Sequence, residues 1–283
     1  MYWESRVLES EGRMARAVLF ESSLKADQID EKINAVLIDA TDVETKELNG
    51  RLRDLMLSGE KKVNIINVCG QRFIGTRLYT PERLKMEIDI FGTPGNDLAA
   101  FLNGHKITVH GNAQDGVGNT MDSGEIFVEG RAGDVLGFSM RGGEIYVRDN
   151  CGYRTALHMK EYEDKRPVLV VGGSAQDFLG EYMAGGIAIL LDLQGQTHKA
   201  NFIGTGMHGG VIYLRGSVMP SQVGEQVDIS PINDDDRSVL DRYVSRFVER
   251  FPEIGNRLEE ILNSQFVKLT PKSKRPYSNL YAY

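Results

Sequence analysis

Short apolar runs recur along the middle of the chain at a nearly constant spacing. The runs are ITV at 107–109, IFV at 126–128, IYV at 145–147, LVV at 169–171 and IYL at 212–214. The copies that begin at Lys106, Glu125 and Val168 are 19 residues long, and those that begin at Glu144 and Ile187 are 24. Runs this short predict strands, and a fixed period predicts a repeat protein whose units stack on one another.

Glycine and methionine keep fixed places within these copies. The repeated places are Gly118, Met121, Gly137, Met140, Met159, Gly180, Met183, Gly185, Gly186, Met207, Gly209 and Gly210. Identical side chains at one place in each unit predict ladders along stacked parallel strands, which lie about 4.8 Å apart. We interpret the methionines as a packed row in the core and the glycines as turns.

These patterns predict a mainly β protein whose centre, residues 70–225, is a right-handed single-stranded parallel β-helix. Before it, residues 1–69 form an α/β segment with a strand at 35–39, a helix and a strand at 63–68. In that segment Thr41 and Glu44 fit a capping box at the helix start, and Gly59 fits its end. We expect the strand–helix–strand order to form a parallel unit.

Residues 226–283 read as a helical cap and tail. Asn233 to Asp236 suit a helix start. One apolar helical face follows from there: Leu240, Tyr243, Val244, Phe247, Val248 and Phe251. A second helix is expected at 254–262 and a strand at 266–269. We expect the helix pair to cover the open end of the solenoid. The basic, aromatic tail from Lys272 to Tyr277 is a candidate docking segment.

Three acids fall at one register of the repeat: Asp115, Asp134 and Asp177, with Tyr153 at that place in the intervening copy. They suit either a cation site or the catalytic acid of a β-helix polysaccharide lyase. They also suit a structural role in which each carboxylate bonds its own turn backbone. We favour the structural role, because calcium takes about 6–8 oxygen ligands.

The other chemical groups point to no site. The Gly-x-Gly pairs at 116–118 and 204–206 lack the following helix that a dinucleotide site requires. The five histidines share no metal-ligand spacing, and two cysteines, Cys69 and Cys151, are too few for a four-thiolate iron–sulfur cluster. The sequence therefore predicts no catalytic residue, no cofactor-binding residue and no metal ligand.

Composition narrows the class of protein further. The chain has 283 residues and a formal net charge of −7, which disfavours non-specific nucleic-acid binding. No apolar run approaches the roughly 18 residues of a membrane span, and the first residues lack the apolar region of a secretory signal. We expect a cytoplasmic protein.

Three segments carry a family resemblance. GEYMAGGIAILL at 180–191, NFIGTGMHGGVIYLRG at 201–216 and GQRFIGTRL at 70–78 resemble the GXGXG β-helix domain of glutamate synthase, the C-terminal domain of its large subunit. ELNGRLRDLMLSG at 47–59 and FVKLTPKSKRPY at 266–277 resemble the stand-alone form, in which that subunit is split into separate chains.

The resemblance implies a part in glutamate formation from glutamine and 2-oxoglutarate. In that family a glutaminase domain carries an N-terminal nucleophilic cysteine, and a barrel domain carries FMN and an iron–sulfur cluster. None of those residues has a counterpart here. The resemblance thus implies a non-catalytic scaffold subunit that assembles with glutaminase and FMN-binding synthase subunits, which would hold those cofactors. Assembly with further copies of itself stays open.

Two alternatives remain at this stage. One is the related β-helix subunit of formylmethanofuran dehydrogenase, although the segments flanking the repeat favour glutamate synthase. The other is a carbohydrate-active β-helix enzyme, which requires an exposed acidic groove.

Overall fold

The structure, a computed structural model, describes residues 6–10, 13–17, 35–195 and 198–274. Its strands are β1 (Arg6–Ser10), β2 (Arg13–Ala17), β3 (Val36–Asp39), β4 (Lys62–Cys69), β5 (Glu87–Thr93), β6 (Asn103–His110), β7 (Ser123–Val128), β8 (Glu144–Val147), β9 (Val168–Val171), β10 (Ala184–Leu190), β11 (Gly209–Arg215), β12 (Val227–Pro231) and β13 (Phe266–Pro271). Its α-helices are α1 (Thr45–Leu57), α2 (Asp234–Arg250) and α3 (Leu258–Leu262), with 3₁₀ turns at Pro220–Gln222 and Pro252–Arg257.

Eleven of the described strands form one sheet, so the mainly β prediction is confirmed. The order across the sheet is β12, β13, β11, β10 and then each strand in turn down to β3. Pairing is parallel from β3 to β11, and β13 pairs antiparallel with both β11 and β12. β1 and β2 form a separate antiparallel pair.

The N-terminal strand–helix–strand unit is confirmed. β3 and β4 flank α1 and pair in parallel, and Gly59 follows the helix with a φ of +92°. The prediction of a capping box was wrong. The N-cap is Glu44, whose side chain makes no capping bond, and the Thr41 hydroxyl donates instead to the Asp39 carboxylate. Residues 40–43 form a turn before the helix, which keeps Thr41 away from its first free N–H groups.

The repeat period is confirmed by the strand register. Neighbouring strands from β5 to β11 are offset by 19 residues where the unit is short, as between Glu125 and Glu144. They are offset by 24 where it is long, as between Ile187 and Val211. One inward position therefore forms a fully buried ladder: Ile88, Ile107, Ile126, Ile145, Leu169, Ala188 and Ile212.

The turn after each strand from β4 to β10 has an unusual backbone. Three alternate residues per turn have left-handed φ values, between 51° and 86°. The central one is always glycine or alanine: Gly75, Ala99, Gly118, Gly137, Ala156, Gly180 and Gly204. This alternation turns successive N–H groups in opposite directions, so Gly118 bonds Leu98 in the preceding unit while Gly116 bonds Asp134 in the next. The turns are thus paired between units as the strands are.

The C-terminal helices lie on the outer face of the sheet, so their predicted position at the open end of the solenoid was wrong. The outward ladder is Asp89, Thr108, Phe127, Tyr146, Val170, Ile189 and Tyr213, which is apolar from β7 onward. The apolar face of α2 packs on that part, with Phe247 fully buried. The strand predicted at 266–269 is β13, and it pairs with β11. It thereby supplies backbone partners to an edge that would otherwise be open.

One buried carboxylate fixes the start of α2. Asp236 is 4% exposed and accepts hydrogen bonds from the Tyr213 hydroxyl at 2.6 Å and from the Asn233 N–H at 2.9 Å. The Lys268 ammonium lies 2.7 Å away. Burial alone would raise the pKa of Asp236, but these donors lower it overall. The network ties α2 to both β11 and β13 and so sets where the helix crosses the sheet.

Candidate interaction site

The three repeat acids link neighbouring units. The Asp115 Oδ1 accepts the N–H of Asp134 at 2.9 Å, and the Asp134 Oδ1 accepts that of Tyr153 at 2.9 Å. The Asp177 Oδ1 accepts the N–H of Asn201 at 2.7 Å. The expectation that each acid bonds its own turn was wrong, because the stacked turns bring the next unit's N–H closer. One oxygen of each carboxylate is therefore engaged in holding the stack.

Asparagines make the same link one turn earlier, and glycines make room for it. The Asn112 Oδ1 accepts the N–H of Arg131, and the Asn150 Oδ1 accepts that of Ser174. A Cβ placed on Gly133 would lie 2.2 Å from the Asp115 Oδ1. The pattern of an Asn or Asp under a glycine of the next unit was missed in the sequence, although aligning the copies reveals it.

The repeated methionines and glycines lie inside the stack. Met121, Met140, Met159, Met183 and Met207 are all fully buried. Gly118, Gly137 and Gly180 take the central left-handed place of their turns. A Cβ on Gly185, Gly186, Gly209 or Gly210 would lie 2.4 to 2.7 Å from atoms of the neighbouring unit. Gly118, Gly137, Gly180, Gly185 and Gly186 are buried, whereas Gly209 and Gly210 are partly exposed.

The chemically active side chains do not assemble as a metal or thiol centre in the described part of the chain. No group of three histidine, cysteine, aspartate or glutamate residues there lies close enough to hold a metal ion. Cys69 is exposed and Cys151 is buried. Burial raises the pKa of the Cys151 thiol to about 12, so the thiol stays protonated at neutral pH.

The densest titratable cluster lies on the outer face of β5, β6 and β7. The His110 Nε2 is 2.7 Å from the Asp89 Oδ1, and its Nδ1 is 2.8 Å from the Glu129 Oε2. Burial would lower the pKa of His110, but the two carboxylates raise it overall. Because both ring nitrogens are occupied by carboxylates, neither is available to take a proton from a substrate. The geometry is that of a charged clamp between strands.

Three successive turns carry a row of four aromatic rings and one arginine, which we call the aromatic strip: Arg154, His158, Phe178, Tyr182 and Phe202. The Phe178 and Phe202 rings stack at 4.9 Å, and those of His158 and Tyr182 at 5.3 Å. The Arg154 guanidinium lies 4.8 Å from the centre of the Phe178 ring and pairs with the buried Glu181.

The strip has the chemistry of a protein–protein contact. Phe202 is 54% exposed, and aromatic and arginine side chains dominate binding energy at interfaces. The five residues occupy left-handed places of three successive turns, so the backbone fixes their spacing. Sequence reasoning missed them because the two intervals, 154 to 178 and 178 to 202, are the long 24-residue ones.

Fold and site together define a parallel-β repeat protein with a strip of stacked aromatic side chains on its turns and a buried, side-chain-filled interior. The GXGXG motif family model matches residues 60–272, and the chain belongs to that family. It is also 48% identical over 253 residues to an uncharacterized protein of Methanocaldococcus jannaschii, an alignment that covers 87% of this chain and 96% of the relative. Family membership is consistent with a glutamate synthase-like domain in stand-alone form.

Among the described residues, no helix has the length and apolar character needed to cross a membrane. The tail beyond Lys274 lies outside the described residues, so its docking role stays a prediction.

Replacing Gly133 by alanine tests the link between units. We expect the new methyl group to displace the Asp115 carboxylate and to lower the free energy of unfolding by about 1–3 kcal/mol. Gly50→Ala is the control, because nothing lies within 4 Å of a Cβ there and alanine favours the helix by roughly 0.5–1 kcal/mol. Urea unfolding measures both. Equal effects of the two substitutions would contradict the link, as would full additivity of G133A with D115A.

His110 should make stability depend on pH. A raised pKa in the folded protein means that its contribution is complete below the unfolded value of about 6.5 and is lost as pH rises through the folded value. The stability difference between wild type and His110→Gln should therefore be largest below about pH 6.5 and shrink as the pH rises above it. His208→Gln is the control, because the partner of that ring is the backbone carbonyl of Gly206 and not a carboxylate. A difference that is constant with pH, or that grows, argues against the clamp.

Proposed function

We propose that this chain is a non-catalytic scaffold subunit of a split, cytoplasmic glutamate synthase. It would organise a glutaminase subunit and an FMN- and iron–sulfur-containing synthase subunit, which form glutamate from glutamine and 2-oxoglutarate. The observation that carries the proposal is the GXGXG family match over residues 60–272. The relative of about the same length supports a stand-alone chain.

The proposal includes the winding of the repeat as a right-handed β-helix. Two observations support it: the strands of successive units pair in parallel, and the turns between them bond unit to unit as well. Connections between parallel strands of one sheet are right-handed in about 98% of cases. A helix of this kind keeps the spacing of surface residues fixed over many units, which suits a spacer between catalytic subunits.

We place the contact with a partner subunit on the aromatic strip. Its rings are already stacked on one another, so binding would cost little side-chain entropy. The carbohydrate-active alternative has less support, because one carboxylate oxygen of Asp115, Asp134 and Asp177 is bonded to the next unit's backbone.

Co-expression with the glutaminase and FMN-binding subunits of the same organism tests the role. We expect the three chains to co-elute and to form glutamate from glutamine and 2-oxoglutarate only when this chain is present. Two outcomes would overturn the proposal: no co-elution with either subunit, or full activity of the other two without this chain.

The double variant F178A/F202A tests the contact surface. Truncation of one interface aromatic at a hot spot costs about 2 kcal/mol or more, so a single hot spot among the two rings already lowers partner affinity at least about thirtyfold. Tyr79→Ala is the control, because Tyr79 is 54% exposed and lies before β5, whereas the strip lies on the turns after β8, β9 and β10. Circular dichroism checks the fold of each variant. Unchanged affinity of the double variant would mean that the partner contact lies elsewhere on the surface.

A further inference from the structure

A groove of about 730 Å³ runs along the N-terminal ends of β4 to β8. Cationic side chains dominate one end of it, and we call this part the basic groove: Lys61, Lys62, Arg83, Lys85 and Lys106. The volume falls within the range of small-molecule sites, about 300–1,000 Å³. The groove is separate from the aromatic strip and plays no part in the proposed scaffold role.

The positive charge of the groove is only partly balanced. The Glu87 Oε2 lies 3.9 Å from the Nζ of both Lys62 and Lys106, which is beyond hydrogen-bonding distance. None of the ion pairs between described residues involves Lys61, Arg83 or Lys85. This excess of positive charge stands out in a chain whose formal net charge is −7.

The carboxylates at the other end of the groove already have a cationic partner. Two carboxylates line it, Glu125 and Glu144, and both pair with Arg246 from α2. Their charge is thus balanced by an arginine, although the strand register also places Glu125 opposite Lys106 on β6. The groove thus combines three cations that belong to no ion pair between described residues, Lys61, Arg83 and Lys85, with carboxylates at β7 and β8 that pair with Arg246. An anion would therefore be drawn to the cationic end.

A buried histidine holds the segment that carries Arg83 and Lys85. The His105 Nδ1 accepts the N–H of Met86 at 3.1 Å, and its Nε2 lies 2.8 Å from the Leu78 carbonyl oxygen. These bonds join β6 to both ends of the segment 78–86. Burial lowers the pKa of His105, consistent with a neutral ring whose Nδ1 accepts a hydrogen bond from Met86 and whose Nε2 donates one to the Leu78 carbonyl.

The groove wall also offers polar groups without charge. The Ser123 hydroxyl donates to the Asn103 Oδ1 at 2.9 Å, which leaves the hydroxyl oxygen and the amide N–H groups for a ligand. Gly104 and Gly124, in the same wall, have positive φ values, and a Cβ on Gly124 would lie 2.3 Å from the His105 carbonyl oxygen. A Cβ on Gly104 would instead lie 3.9 Å from the Lys85 Cε, so the absence of a side chain there leaves space in the groove.

We propose that the basic groove binds a small anion that carries two or more phosphate or carboxylate groups. Five cations that converge on one space suit a ligand with several negative groups, since a single exposed pair contributes little in water. An arginine and several lysines recognise both kinds of group. The size of the groove favours a small anion over an acidic protein segment.

Calorimetric titration of the full chain tests this, with pyrophosphate and citrate as probes at low ionic strength, where exposed charges are least screened. We expect saturable one-to-one binding of at least one probe. R83E/K85E should weaken it by about tenfold or more, and R83Q/K85Q by less. Lys160→Glu is the matched control, because Lys160 is exposed and lies outside the groove; it should leave affinity within about twofold.

Pyrophosphate and citrate also separate the two sources of anionic groups, since preference for one identifies phosphate or carboxylate as the recognised group. Three results would overturn the proposal: no saturable binding of either probe, equal loss of affinity in K160E, or unchanged affinity in R83E/K85E. A polyglutamate peptide that binds and is not displaced by either probe would also overturn it, in favour of an acidic protein segment. None of these readouts depends on a partner subunit.

Discussion

Everything in this structure depends on hydrogen bonds between one repeat unit and the next. A strand has no partner strand inside its own unit, so its N–H and C=O groups must meet those of the neighbours. The turns combine bonds of their own, such as that from the Met121 N–H to the Gly118 carbonyl, with bonds to the units on either side. Left-handed residues at alternate places direct turn N–H groups both ways, and Asn and Asp side chains add a second set of links. Both arrangements work only if each unit keeps the same register. The repeat period in the sequence is the consequence of that requirement.

The two faces of the sheet divide the remaining tasks. The inner face, with residues such as Ile126 and Val128, packs against the methionine row and forms a continuous core. The outer face changes character at β7, where Phe127 follows Thr108 in the ladder and α2 begins to cover it. Charged groups remain beyond the helix, and they form both the His110 clamp and the basic groove. The outer face of the sheet is therefore apolar and buried where α2 covers it and polar where α2 does not reach.

The sequence predicted what is local and periodic. Strand positions, both unit lengths and the apolar face of α2 follow from spacing alone, because each depends on neighbours along the chain. The links from Asp115 to Asp134 and the aromatic strip depend on which residues stack across units. That alignment is obscured wherever a unit has five extra residues. The packing position of α2 depends on which apolar side chains point outward from the sheet. Short runs such as IFV do not reveal this, because both faces of the strand are buried there.

The two long units show how this architecture accommodates added chain. Five extra residues lie between Met159 and Val168 in one unit, and the same number lie between Leu191 and Asn201 in another. In both cases the strands and left-handed turns on either side keep their pairing. Insertions at the corners therefore change the outline of the molecule without altering its internal lattice. The length of the connection outside the strands and turns can therefore differ from unit to unit. A single deletion inside a strand or turn would instead shift every contact of that unit.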